Sequence, residues 1–502
     1  MVEPVFEKIN LTKRLPQLKD QIKIECKTST TSSSVQDVIS ISPFVSVEKG
    51  EVSLGKVKYS GKALFYICYT DTAGDIKKCE CGYEIKGELL SETILEDSRV
   101  SLSIEASKIE KDLSSSYLEV KAILIVSAKI EQCESKSALV GGDKIFAEEK
   151  EICSVSGLGI CYGTYPMEEE FQVNFPIQEV LFHKAESIIT AVQSGMGSII
   201  VDGQVLLSLV LLQKSDKKDI IKENKILPFR MEIECEDAMP NMQSVAVVSE
   251  KSFSTDVEVD FDNGTSVVRA NVLLQFEGQV YLNTTCSVAL DAFCTENEID
   301  LVKEDCSQYN LLDTRSYSFN VNARAVTEEI PLGAVVVTVC AENLLITQTK
   351  CDEGDLEVTG VYSAVAYLKD SDGKFFSRQL VAPFEKKLDG DFNCQTEFDI
   401  KARAFSGRVK ILSATEFDLD GEVYLTVCPI QKNPICFIKD VKVLGEKTEN
   451  PCAISVYLAT PGEECFSLAK RLNVCPATLI ETNKDLQFPL SGTERIVVYR
   501  QK

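Results

Sequence analysis

One stretch of sequence occurs three times, which limits this chain to folds built from three like units. Around Gly61 it reads KVKYSGKALFYICYTDTAGD, around Gly203 SIIVDGQVLLSLVLLQKSDKKD, and around Gly360 DLEVTGVYSAVAYLKDSDGK. Each copy is a strand-like run, a glycine, a second apolar run ending near Tyr69, Leu212 or Leu368, and then a polar turn. The turn falls thirteen residues after the glycine each time, at Gly74, Asp216 and Gly373. Asp372-Gly373 is a hairpin signal, because glycine readily takes the positive φ that such turns need.

The likeness extends outward from the hairpin. Gln36-Asp37-Val38 precedes Gln178-Glu179-Val180 by 142 residues, the spacing that separates Gly61 from Gly203. Pro228-Phe229 and Pro383-Phe384 close a third strand in the second and third copies, where the first has Tyr83-Glu84 nearby. Alternating runs at 118–126, 267–273 and 419–427 end the copies. A period of about 140–160 residues means tandem domains, since solenoid repeats are about 20–50 residues long. Many β-branched runs with turns between them predict all-β, sandwich-like domains. At 502 residues, three or four domains are expected. The first covers 1–162, with two strand-like pieces broken near Pro16 and a Ser/Thr-rich link at 28–34; the second covers 163–322 and the third 323–447. A short polar linker at 446–451 (EKTENP) leads into a different object at 448–502.

That last segment alternates first, with Ile454, Val456 and Leu458 on one face, and turns at Pro461-Gly462. Cys465, Leu468, Ala469 and Leu472 then follow the spacing of one buried helical stripe. Pro476 starts a second helix, whose apolar face is Leu479 and Ile480, and 496–499 is a returning strand. The prediction is a small β-α-α-β module. From 451 onward it carries six basic residues (Lys470, Arg471, Lys484, Arg495, Arg500, Lys502) against five acidic ones (Glu463, Glu464, Glu481, Asp485, Glu494). The chain as a whole has a net charge of −24, so the acidic excess lies upstream.

Such a charge argues against nucleic acid as a partner, because phosphates are bound by clustered Lys and Arg. The N-terminus MVEPVFEKIN has neither the basic nor the apolar region of a secretory signal, and the apolar runs at 205–212 and 334–341 are too short to span a membrane. The expectation is a protein made and kept in a cytoplasm, its 19 cysteines free thiols. Cys68, Cys286, Cys340 and Cys428 sit singly in strand-like runs, where cysteine acts as a small buried hydrophobe. The odd count would also permit cross-links between chains.

Signs of chemistry are few. His183 is the only histidine and lies beside Phe182 in an apolar segment, which favours a structural role. Cys79-Glu80-Cys81 has no second pair at zinc spacing, and Cys153 and Cys161 are too far apart for a knuckle. Gly157-Leu158-Gly159 and Gly195-Met196-Gly197 read as turns. Glu148-Glu149 and Glu168-Glu169-Glu170 read as solvated charge runs, and the sequons at Asn263 and Asn283 as incidental. Without tryptophan there is no clear platform for stacking sugars. Neither a catalytic set, a metal site nor a cofactor site is expected, and the reading is a structural or adaptor protein rather than an enzyme.

The terminal segment resembles LysM modules along its whole length, through VYLATPGEECFSLAKRLNV, LIETNKDL and the closing IVVY. LysM modules usually hold N-acetylglucosamine chains in two loops carrying Gly-Asp-Thr and Asn-Pro; here the loops are Gly462-Glu463-Glu464 and Asn483-Lys484. The three upstream copies resemble SPOCS domains of spore coat proteins. Tandem SPOCS domains followed by one LysM resemble the SipL-like family of coat morphogenetic proteins. The resemblance implies a scaffold in the mother-cell cytoplasm at the forespore surface. Its LysM module would bind the coat-basement ATPase, stage IV sporulation protein A, and its β-domains would recruit other coat proteins or self-associate. The expected docking residues are Gly462, Glu463, Lys470, Asn483 and Lys484. Two alternatives stand beside this: a LysM protein that binds peptidoglycan or cortex, and a self-assembling coat subunit.

Overall fold

A computed structural model describes residues 3–29, 35–113, 117–215, 219–260, 262–448 and 454–499. The turn residue Asp216, most of the link at 28–34 and the end of the linker at 446–451 lie outside them. The fold is mainly all-β, with several antiparallel sheets. The chain opens with β1 (Pro4–Arg14) and β2 (Leu18–Ser29), then runs through β3 (Val35–Ser53), β4 (Lys56–Asp71), β5 (Ile76–Leu90), β6 (Arg99–Leu113) and β7 (Tyr117–Gly142). The second copy comprises β8 (Ile145–Val173), β9 (Ile177–Ser194), β10 (Ser198–Gln213), β11 (Ile220–Glu234), β12 (Gln243–Asp260) and β13 (Thr265–Cys294). The third comprises β14 (Asn297–Leu311), β15 (Arg315–Val326), β16 (Val335–Asp352), β17 (Asp355–Lys369), β18 (Phe375–Leu388), β19 (Glu397–Ile411) and β20 (Glu416–Glu446). Last come β21 (Ile454–Ala459), α1 (Cys465–Leu472), α2 (Pro476–Thr482) and β22 (Glu494–Tyr499).

In every copy the repeat glycine sits in the middle of three hydrogen-bonded strands, β3-β4-β5, β9-β10-β11 or β16-β17-β18; the first two sets are separate sheets, and the third is joined through β18 to β15 in a larger one. Each glycine pairs where the register with the preceding strand shifts, opposite Val47, Ile189 or Ile346. A β-bulge turns a carbonyl toward the neighbouring strand, and only glycine leaves room for it. A Cβ on Gly61 would lie 2.5 Å from the carbonyl of Ser46, and one on Gly360 2.5 Å from that of Leu345. Phe229 and Phe384 pair directly with Gly203 and Gly360 and cover the bare backbone; in the first copy Ile85 holds the paired position and the side chain nearest Gly61 is Ile104. Pro228 is tolerated because β11 is an edge strand of its sheet.

A second sheet faces the first in each unit, with β7, β13 or β20 at its centre. These strands are flanked by β2 and β6, by β8 and β12, and by β15 and β19. Alternating side chains fill the space between the two sheets, as at Leu118, Val120, Leu124 and Val126, giving one core per unit.

The central strands do not stop at the sandwich. β7 continues to pair with β1, β13 with the first half of β8, and β20 with β14, making three two-stranded ribbons. β8 therefore serves both ribbon and sandwich without a break, whereas that role is split at 15–17 in the first copy and at 312–314 in the third. The boundaries expected at Tyr162 and Asn322 fall inside β8 and β15. The chain passes between copies at 143–144 and 295–296, where ribbon strands turn.

Equivalent positions of the three copies meet. Cys68, Val210 and Tyr367, each seven residues past the repeat glycine, share one buried cluster with Ile76, Ile220 and Phe375, the first residues of the third strands. The ribbons form a second meeting place, with Ile9, Leu11 and Ala138 against Val288, Ile435 and Phe437. The copies are thus arranged as around an approximate threefold axis rather than strung as separate beads.

Polar contacts fasten the seams. Lys129 and Arg14 of the first copy reach Asp399 of the third at 2.5 and 3.5 Å. Burial pushes the Asp399 carboxyl up, but the two cations outweigh it and hold it below its ordinary value. Between the second and third copies, Lys401 Nζ donates to the Val248 carbonyl at 2.7 Å and Lys184 Nζ to the Glu342 carbonyl at 2.8 Å. One correction concerns the thiols: Cys351 and Cys394 are joined as a disulfide. The segment after β18 folds back on the β16–β17 turn, where Phe392 N donates to the Gly354 carbonyl at 2.7 Å, and this brings the two cysteines together. Cys68 and Cys340 are buried, and Cys286 and Cys428 half-buried.

His183 lies in the seam between the first two copies. Its ring packs against Tyr66 of the first at 4.2 Å and Phe253 of the second at 4.8 Å, and Nδ1 shares a 3.1 Å hydrogen bond with Thr255 Oγ1. Burial, helped by Lys78, pulls the imidazole down to about 4. The unfolded chain takes up this proton near pH 6.5 and the folded chain does not, so stability is full above that pH and declines as pH falls toward 4. Urea unfolding of the native chain and of His183→Phe between pH 7.5 and 4.5 measures this. The stability difference between the two should shift against the native chain on acidification, and a difference independent of pH would contradict the seam assignment.

Candidate docking surface

The terminal module folds as its periodicity demands. Leu468, Ala469 and Leu472 of α1 are buried with Leu479 of α2, and the two helices cover one face of the antiparallel pair β21–β22. Asn473 ends α1 in the left-handed region (φ 52°), a conformation asparagine tolerates. Among the described residues no helix is long and apolar enough to cross a membrane.

The module is seated on the tip of the second ribbon. Phe293 of β13 enters its core between Phe146 and Phe466, with ring centroids 5.5 Å from each. Asn473 Nδ2 donates to the Thr295 carbonyl at 2.8 Å, while its Oδ1 accepts from Lys447 Nζ at 2.8 Å. Lys470 Nζ lies 2.5 Å from Asp291 Oδ2. An aromatic anchor ringed by polar contacts fixes orientation as well as position.

The five expected docking residues have divergent fates. Lys470 is spent on Asp291 within the chain. Asn483 is buried: Nδ2 donates to the carbonyls of Leu479 and Val497, and Oδ1 accepts from Val497 N, each at 2.8 Å, tying the end of α2 to β22. Glu463 accepts from Thr460 N at 2.9 Å and pairs with Arg471 at 2.9 Å, holding the first loop closed. Gly462, at φ 84°, is exposed and donates its N–H to the Leu490 carbonyl at 2.7 Å. Lys484 is exposed. The loop at 460–464 is thus bonded to the segment around Leu490, and two of the five residues stand open on the surface.

A different face is open. Ile454, Val456 and Leu458 are 58%, 63% and 67% exposed, and Tyr499, opposite Ile454, is 51% exposed. The helices cover the other side of the sheet, which carries Ala459, Ile496 and Val498. Ile480 of α2 is also half exposed, so only Leu479 of the expected helix face is core. Alternation says which residues share a face but not which face is covered, and β22 is apolar on both sides. Arg495, opposite Leu458, puts one cation on this open sheet face.

One other sequence signal is corrected. Gly157-Leu158-Gly159 forms no turn but lies within β8, whereas Gly195-Met196-Gly197 does make the β9–β10 turn, with Gly197 at φ 72°. Cys79 and Cys81 face Ile67 and Phe65 across β4–β5. Among the described residues no three His, Cys, Asp or Glu side chains are placed to hold a metal ion. No family model, curated protein or solved structure matches the chain.

Asn483→Ala would remove the side-chain partner of the Val497 N–H and of the Val497 carbonyl, at a cost of about 1–3 kcal/mol. Hydrogen exchange of the Val497 amide should accelerate by about fivefold or more, as that energy implies. Unchanged exchange would show that Asn483 is a surface contact residue after all.

Proposed function

We propose that the chain is a non-enzymatic scaffold of the spore coat, whose terminal LysM-like module docks on the basement ATPase, stage IV sporulation protein A, while the triplicated SPOCS-like body gathers other coat proteins. The single observation that carries this reading is the open face of β21–β22. Three branched or aliphatic side chains and a tyrosine are held out to solvent on a module whose opposite side is already anchored to the body. Exposed apolar patches of this kind mark protein contacts. A near-neutral module on an acidic chain also offers a partner the least electrostatic resistance.

The loops that hold sugar in LysM modules support a glycan ligand less well. Glu463 is engaged by Arg471 and Thr460, and Asn483 is buried in a structural role. Docking in this reading therefore runs through the sheet face, with Gly462 and Lys484 at most on its margin.

The test is binding of the full-length chain to purified basement ATPase, with Val456→Glu and Leu458→Glu introduced together. Loss of affinity by about a hundredfold or more is expected, as for removal of a central apolar hot spot. Unchanged binding by the variant, or strong saturable sedimentation of the native chain with peptidoglycan but not with the ATPase, would overturn the reading.

A further inference from the structure

Gly157 and Gly159 flank the point where the register of β8 against β13 shifts, as that strand passes from ribbon to sandwich. Their missing side chains let two others lie across the strand. Arg99 of β6 donates from Nη2 to the Gly157 carbonyl at 2.8 Å, and a Cβ on Gly159 would lie 2.5 Å from Asp237 Oδ2. Beside this crossing a cleft of about 540 Å³ opens between the first and second copies.

Its walls mix polar and apolar groups, the apolar ones being Val52, Val100 and Leu102 from the first copy and Ile160 and Tyr162 from the second. Tyr162 is 65% exposed, an unusual state for a tyrosine on the wall of a recess. The lips are acidic and come from both copies, Glu96 and Asp97 on one side and Asp237 on the other, all exposed. Arg99 is the cation of the lining, and its guanidinium is turned onto the β8 backbone. Three carboxylates around an aromatic and aliphatic recess form the complement of one side chain above others. Arginine combines an apolar stem, a planar cation that stacks on a ring, and a fork that matches carboxylates.

We propose that this inter-copy cleft is a docking pocket for an arginine borne on an apolar segment of another protein. The stem lies along Leu102 and Tyr162, and the guanidinium reaches the carboxylates of both copies. The pocket is separate from the terminal module and does not depend on what that module binds.

The test uses the full-length chain and a fluorescein-labelled peptide, Gly-Leu-Arg-Leu-Gly, followed by fluorescence anisotropy. Salt is kept near 0.15 M, where screening over about 8 Å suppresses the diffuse pull of an acidic protein. Asp97→Asn with Asp237→Asn should weaken binding about tenfold or more, as loss of charge-assisted hydrogen bonds requires. Glu168→Gln with Glu385→Gln removes the same charge from remote, exposed positions and should weaken it less than about twofold. All four sites are on the surface or lightly covered, and matching melting curves would confirm that the variants are folded. Equal weakening by the two double variants would reduce the effect to general charge, and absence of saturable binding to the native chain would also overturn the proposal.

Discussion

Cys68, Val210 and Tyr367 hold the same place in three copies of one hairpin, and their side chains lie in one buried cluster. That contact makes the copies interdependent. Each hairpin end would otherwise expose an apolar residue at its first position past the turn, Ile76, Ile220 or Phe375, and the meeting of three hides all of them. The ribbons repeat the solution with Val288, Ile435 and Phe437 against the first copy's Ile9 and Leu11. A two-stranded ribbon alone is marginal in water, so three packed together are needed for any of them to persist.

What was legible in the sequence was mostly local. The repeat glycines marked the hairpins, the Pro-Phe pairs marked their third strands, and the 3.6-residue stripe of α1 announced its buried face, while the bulge at each glycine came from the strand pairing. The ribbons were hidden, because their strands continue those of the sandwiches without punctuation, as in β8. Pattern also failed in β21, whose more apolar face of Ile454, Val456 and Leu458 turns outward, as became evident only from the seating of the helices. Gly157 and Gly159 looked like turn residues because the side chains that cross them come from distant segments, Arg99 and Asp237. The Cys351–Cys394 pairing was likewise invisible at 43 residues of separation.

Residues expected to recognise a partner proved to have two kinds of work. Lys470 and Asn483 position the module and hold it together, and Glu463 closes its own loop, so the terminal segment commits its polar groups inward. Its apolar surface is what remains available. The acidic body carries the complementary kind of feature, a recess with carboxylate lips between two copies. A chain with one open apolar face and one anionic pocket would distinguish partners by chemistry rather than by size.

The claim on which all this rests is that three sequence repeats make one cooperative body. Hydrogen exchange in increasing denaturant, read separately on β4, β10 and β17, measures it most directly. The three strands should lose protection together, with a common midpoint and a common denaturant dependence. Three separate midpoints, one for each copy, would show independent beads on a chain and would contradict the account.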